Sequence, residues 1–542
     1  MPVDATRRRL LGSATLMAAG AFPLARAIAK DTARDQAGEP SGDAAATAPP
    51  SAIIRTRAGK LRGFLDGDLM AFRGIRYGAD TAPRRFMPPV APEPWKGIMD
   101  ARTFGAASMQ PGNEPHQSED CLFLNVVAPA AKALRPRPVI VYIHGGAYSS
   151  GSGSSPLYDG ANLCRRGDVI VVTVNHRLSV FGYLWLKGFP DSGNAGQLDL
   201  VLALTWVREN IAAFGGDPGC VTLLGQSGGG AKIATLMAMP AASGLFHRAA
   251  TMSGQQVTAS GPLHAAGRAR AVLDKSGVAP EQAAALARVP AADLLKAHAA
   301  TVDPYIGRGN CYMGPVLDER SLTRHPFYPD APPQSAAVPM MIGNTHDETR
   351  SLIGRSDASA WSVSWEDLPR KLENELRVDI SGDAVVAEYR RLYPHYSPTD
   401  VFFAATTAGR SWRGAVIEAE LRAQQGSPAF AYQLDWGSPE DGGKWGAFHT
   451  LDIPLMFGTL SAPGSLTGDG DEARKVSSTM QGALLAFART GDPNYSGLPR
   501  WEPYTLPRRA TMVFDAQPHL ADDPRGAERR LFAKVPFIQQ GT

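Results

Sequence analysis

The chain has 542 residues, 55 Lys and Arg against 52 Asp and Glu, and a formal charge of +3. That near balance lacks the concentrated basic surface of a nucleic-acid binder. A 44% hydrophobic content excludes disorder for most of the chain, and four Cys in such a length exclude a disulfide-built scaffold.

The first element is an address. Arg7, Arg8 and Arg9 follow Thr6 and precede an uncharged stretch, Leu10 to Ala25, rich in Ala and Gly. The small-x-small patterns Ala25-Arg26-Ala27 and Ala27-Ile28-Ala29 come next, completing the three parts of a secretory signal. The arginines after Thr6, with leucines behind them, resemble the twin-arginine type. Sixteen weakly apolar residues fall short of the ~20 that span a bilayer, so residues 1–29 are expected to be a signal peptide. A periplasmic or secreted protein follows, with no stable membrane insertion once the signal is removed. Residues 30–51 are rich in Ala, Gly, Pro and Asp without apolar periodicity, and are expected to be a flexible linker.

The remainder, 52–538, reads as one α/β domain. Val139–Ile143, Val169–Val174 and Val221–Leu224 are continuous apolar, β-branched runs, the mark of strands buried on both faces. Gln197 to Phe214 carries apolar residues at helical spacing. Strands alternating with helices predict a mostly parallel sheet with crossover connections. Gly261 to Ala300, and segments between Trp365 and Arg391, are expected to be helical insertions over that sheet.

The third apolar run leads into Gly225-Gln226-Ser227-Gly228-Gly229 and then an apolar helix from Ala231. This is G-x-S-x-G in the strand–turn–helix setting its chemistry requires, where flanking glycines permit a sharp turn that exposes the serine hydroxyl. Ser227 is therefore the candidate nucleophile. Gly225, Gly230 and Lys232 also mimic a phosphate loop. The lysine stands one place too late, however, and no Ser or Thr follows it, so nucleotide binding is not expected. His144-Gly145-Gly146-Ala147-Tyr148 directly follows the first run. Such a small-residue loop lets backbone N–H groups face the oxygen on which charge develops during acyl transfer, each worth ~3 kcal/mol. The candidate oxyanion-hole donors are Gly146, Ala147 and Gly228.

These motifs make the chain resemble the type-B carboxylesterases of the α/β-hydrolase fold. The resemblance continues through Phe72-Arg-Gly-Ile75, Ser118 to Val126, Asn175-His-Arg177, Gly193 to Asp199, Gly343 to Glu348, Phe448-His449 and Thr490 to Asn494. It implies a central twisted sheet flanked by helices, with helical insertions over the active site. It also implies the rest of a triad. The family acid falls on Glu348, and the family base on His449, ahead of Asp452-Ile-Pro-Leu-Met-Phe-Gly458. Asp347 is the rival acid. On a strand, neighbours face opposite ways, so only one of the two can reach the histidine. His346 shares the parity of Glu348 and is expected to be supporting or exposed. The resemblance further pairs Glu119 with Arg85 and Asp199 with Arg177.

Two departures bear on function. The family often has Glu before the nucleophile and Ala after it; here they are Gln226 and Gly228. The missing negative charge argues against a cationic ester. No Cys precedes Cys121, which normally has an upstream partner in the family, so the cysteines are expected to be mostly unpaired.

The expected function is a serine carboxylesterase acting on an uncharged or mildly polar small-molecule ester. The alternatives are a non-catalytic binding or adhesion homologue, or a lactone, amide or carbamate hydrolase with the same triad. The triad calls for neither cofactor nor metal. The Gly146-Ala147 loop resembles that of esterases tolerating bulky alcohol groups. Residues 1–29 hold four arginines and one acid, Asp4, which equals the whole +3, so the chain beyond them is formally neutral.

Overall fold

Side chains alternate across a strand, and this alternation builds two cores from one apolar run. In β8, Arg137–Ile143, residues Val139, Val141 and Ile143 enter one core and Ile140 and Tyr142 the other. This computed structural model describes residues 51–307 and 309–539. The expected signal peptide and the linker up to residue 50 lie outside the described residues, and Ser51 already belongs to the first strand.

In chain order the strands begin with β1 (Ser51–Arg55), β2 (Lys60–Asp66), β3 (Leu69–Arg76), β4 (Ile98–Asp100), β5 (Ala107–Ser108) and β6 (Gln117–Ser118). β7 (Phe123–Pro129), β8, β9 (Ile170–Val174), β10 (Gly216–Gln226) and β11 (Arg248–Met252) follow. The last are β12 (Met340–Thr345), β13 (Ala429–Leu434), β14 (Ala510–Phe514) and β15 (His519–Asp522). Thirteen of them form one sheet in the order β1-β2-β3-β7-β9-β8-β10-β11-β12-β13-β14-β15, with β4 beside β2; β5 and β6 pair separately. From β9 to β14 every neighbour is parallel. The pairs toward both edges are antiparallel, apart from β2 with β4. The fully apolar runs lie where the sheet is covered on both faces, as burial of parallel strands requires.

One face packs on the helices Ala195–Asn210 and Gly228–Ala238 through Leu200, Leu204, Ile233 and Met237. The other packs on the helix Asp471–Thr490 through Val476, Met480 and Leu484. The first helix was expected to reach Phe214. Instead it stops at Asn210 and tightens into the turn Ile211–Phe214, which ends at Gly215 with φ 86°. β10 begins well before Val221, and its register slips between Gly216 and Val221, a stretch holding Pro218 that cannot donate to the ladder.

The insertions are helical. Pro262–Lys275 and Ala291–Ala299 share a small apolar cluster with Phe86 and Tyr148. Leu368–Leu376, Gly382–Leu392 and Pro398–Thr406 form another around Tyr389 and Phe402. Both expected ion pairs are present. Arg177 and Asp199 are buried and bidentate, with Nη2–Oδ1 at 2.7 Å and Nε–Oδ2 at 2.9 Å. Arg85 grips Glu119 and also donates to the Leu286 and Val289 carbonyls at 2.8 and 2.6 Å, tying the first insertion down. Each of Cys121, Cys164, Cys220 and Cys311 is free. Among the described residues no helix is long and apolar enough to cross a membrane.

Candidate active site

The central strand β10 ends at Gln226, and the helix Gly228–Ala238 begins one residue later. Ser227 makes the whole turn, at φ 55° and ψ −126°, a conformation L-residues rarely adopt and one that costs about 1–3 kcal/mol. Its N–H donates to the Met252 carbonyl at 2.7 Å, locking the turn to β11. Strand and helix can meet this closely only because Gly225 lacks a side chain: a Cβ there would lie 2.6 Å from the Gly229 carbonyl carbon. Ser227 is left half-buried at the carboxyl end of the parallel strands.

Next to β10, β8 delivers the loop His144–Tyr148. Gly146 and Ala147 both have left-handed backbones, φ 83° and 52°. A Cβ on Gly145 would lie 3.2 Å from Ser227 Cβ, and one on Gly228 would lie 2.0 Å from the Ala147 carbonyl oxygen. The loop is thus seated directly against the turn. Among the described residues, the N–H groups of Gly146, Ala147 and Gly228 have no internal acceptor. Behind the loop, His144 donates from Nδ1 to the Gly145 carbonyl at 2.9 Å and stacks on His176 at 4.9 Å. Burial pushes His144 down to about 3, with the Lys232 charge adding to it, so the ring is neutral.

The candidate acid and base come from farther along the chain. β12 ends at Thr345, and a short helix starts at Glu348, whose carboxylate is fully buried. Glu348 Oε1 accepts from Asn344 Nδ2 at 3.1 Å and the Thr345 N–H at 3.0 Å, while Oε2 meets His449 Nδ1. Burial alone raises this carboxyl, but the His449 charge and hydrogen bonds from His449 and Asn344 outweigh it and hold it below the usual carboxylate range. His449 lies on the loop before the helix Asp452–Phe457. Its Nε2 faces the Gln226 amide nitrogen at 3.2 Å, next door to the serine. No hydrogen bond joins the Ser227 hydroxyl to His449 among the described residues; resting geometries of this kind are often loose and tighten around substrate.

Glu348, not Asp347, reaches the histidine, but the strand-parity argument fails because the chain has left β12 by that point. Asp347 turns toward the loop that carries His449, accepting from the Ala447 N–H at 3.0 Å, and contacts His346 Nδ1 at 3.3 Å. Two other groups were not read as part of the site. Asp452 is buried beside the pair, accepts from the Tyr432 hydroxyl at 3.0 Å, and is pushed up to about 7 by burial and by the Glu348 charge. Lys232, set aside with the phosphate-loop mimic, lies fully buried under the His144–Tyr148 loop. A lysine inside a helix otherwise uncharged and almost wholly apolar was the available signal for it, since unpaired lysines are almost never buried.

A parallel sheet with crossover helices, a serine on a strained strand–helix turn, and a loop of free N–H groups beside it define an α/β-hydrolase. The carboxylesterase family profile matches residues 50–532, and the chain belongs to that family. It is 36% identical to the para-nitrobenzyl esterase of Bacillus subtilis, across 88% of this chain and 98% of that one. Identity to the phenmedipham hydrolase of Pseudarthrobacter oxydans is 32%, across 85% and 94%. The solved carboxylesterase of Geobacillus stearothermophilus superposes with a TM-score of 0.79 at 37% identity, covering 89% of this chain and 99% of that one. The protein is a carboxylic ester hydrolase.

Proposed function

We propose that the chain cleaves carboxylic esters through an acyl-enzyme on Ser227, with His449 as base and Glu348 as the acid that orients it. One observation carries this reading. The strained serine follows Gln226, which meets a histidine paired to a buried carboxylate, and sits against a loop whose N–H groups lack internal acceptors among the described residues. Glu348 accepts a hydrogen bond from the Nδ1–H of His449, which fixes the tautomer and leaves the Nε2 lone pair toward the serine. In the resting site Gln226 donates to that lone pair, and Ser227 replaces it when substrate enters.

As Ser227 Oγ attacks the ester carbon, His449 takes its proton, and the carbonyl oxygen gathers charge against the N–H groups of Gly146, Ala147 and Gly228. Collapse expels the alkoxide, which receives the proton from His449. Water then repeats the sequence, releasing the acid and restoring Ser227. The neutral Gln226 amide supports an uncharged or mildly polar alcohol group. The activity named for the Bacillus subtilis relative makes a para-nitrobenzyl ester the natural probe beside p-nitrophenyl acetate.

Ser227→Ala is expected to lower kcat by about 10⁵-fold or more on both probes. Equal activity in the variant and the wild type would end this reading. We further propose that residues 1–29 direct export to the periplasm or beyond. N-terminal sequencing of exported protein should then begin near residue 28 or 30.

A further inference from the structure

Lys232 has no part in the steps above, yet among the described residues it is the one fully buried lysine, and it lies beneath the reacting centre. Its Nζ donates to the Ala147 carbonyl at 2.8 Å and to the His144 carbonyl at 3.3 Å, and lies 5.5 Å from the centre of the Tyr148 ring. These two carbonyls bracket Gly145 and Gly146. Fixing both peptide planes toward the helix leaves the peptide units between them to direct the Gly146 and Ala147 N–H groups the other way. Among the described residues no carboxylate pairs with this ammonium. Its contacts are dipoles and an aromatic face, both of which favour a cation.

Gly228 belongs to the same device. It precedes Lys232 by four residues, so the two share one face of the helix. The Ala147 oxygen held by Lys232 is the atom that a Cβ at position 228 would strike, at 2.0 Å. An alanine at 228 would force that oxygen off the lysine. A glycine after the nucleophile and a lysine one turn later are therefore two halves of a single fit.

We propose that Lys232 is a positioning residue for ester hydrolysis, clamping the His144 and Ala147 carbonyls so that the loop's N–H groups meet the developing oxyanion. This rests on the reading of that loop as the oxyanion hole. Because the clamp acts on the transition state more than on bound ester, it should be seen in kcat more than in KM.

The test measures kcat, KM and melting temperature on p-nitrophenyl acetate for Lys232→Met, Gly228→Ala and the double variant. A trifluoromethyl ketone, which forms the same oxyanion on Ser227, is titrated alongside. Lys232→Met is expected to lower kcat about 10- to 100-fold with KM within threefold, and to weaken the ketone in parallel. Gly228→Ala should do the same and keeps the test open if Lys232→Met does not fold. The double variant should be no slower than the slower single, since the Ala147 oxygen that Gly228→Ala displaces is one that Lys232 holds. A kcat within twofold of wild type in folded Lys232→Met, or a fully multiplicative double loss, would overturn the proposal. Ser227→Ala run in parallel separates the outcomes: if it stays inactive while the clamp variants stay fast, the clamp fails and the nucleophile stands.

Discussion

The two sides of Ser227 handle buried charge in opposite ways. On the acid–base side, Glu348 and His449 form a matched pair, and Asn344 and Thr345 occupy the other carboxylate oxygen. On the oxyanion side, Lys232 is equally buried but, among the described residues, meets carbonyl oxygens and a ring and no carboxylate, with His144 and His176 held neutral by burial and by the Lys232 charge. A matched pair can absorb charge arriving on the imidazole. Fixed dipoles can only point, so the second side works by placement. The difference teaches that the acid–base side should fail when its chemistry is altered, and the oxyanion side when its geometry is.

The sharpest way to break the comparison is at the acid. Glu348→Gln retains size but removes the charge facing His449 Nδ1, and kcat is expected to fall about 10³- to 10⁴-fold. Asp347→Asn, one residue away, alters a contact to the loop backbone and should cost less than tenfold. If the two variants lost activity equally, the assignment of Glu348 would fail.

A smaller effect is expected from charge added on the Gln226 side. Gln226→Glu would place a carboxylate against His449 Nε2 and favour the imidazolium. The active neutral imidazole would then be reached only at higher pH, so the acid limb of kcat/KM should move upward. An unmoved limb would mean that the Gln226 contact is absent in solution.

The last effect is read in stability and not in rate, and it concerns the oxyanion side. Burial pulls Lys232 down to about 7 from the ordinary 10.5. The folded value lies below the unfolded one, so between those limits the unfolded chain binds the extra proton. The charged lysine therefore costs stability in full below about pH 7, and that cost fades as pH rises toward 10.5. Wild type should gain stability relative to Lys232→Met over that range in urea midpoints. A gap that stays constant from pH 6 to 9.5 would contradict it.

Much of this arrangement was legible in advance, for physical reasons. β8, β9 and β10 declare themselves because strands covered on both faces have no polar side to interrupt the apolar run. The strands toward one edge of the sheet, β1 to β4, carry mixed patterns, such as Lys60, Arg62 and Asp66 among apolar residues of β2, and do not stand out from loops. Ser227 was legible because its strained turn demands glycines around it. Glu348 was reached through family resemblance, since parity presumes a strand that ends at Thr345. Lys232 could not be placed from its motif, because what makes it functional is a loop from β8, about ninety residues earlier in the chain, whose carbonyls arrive only on folding.

The central claim is that Ser227 is the attacking group. A p-nitrophenyl phosphonate ester offers the most direct measurement, because it leaves a stable adduct on an activated serine. Intact mass should rise by one adduct per chain, activity should fall in proportion, and peptide mapping should place the label on Ser227, with none on Ser227→Ala. Stoichiometric labelling of Ser227→Ala, or a label on any other residue that tracks the loss of activity, would contradict the account.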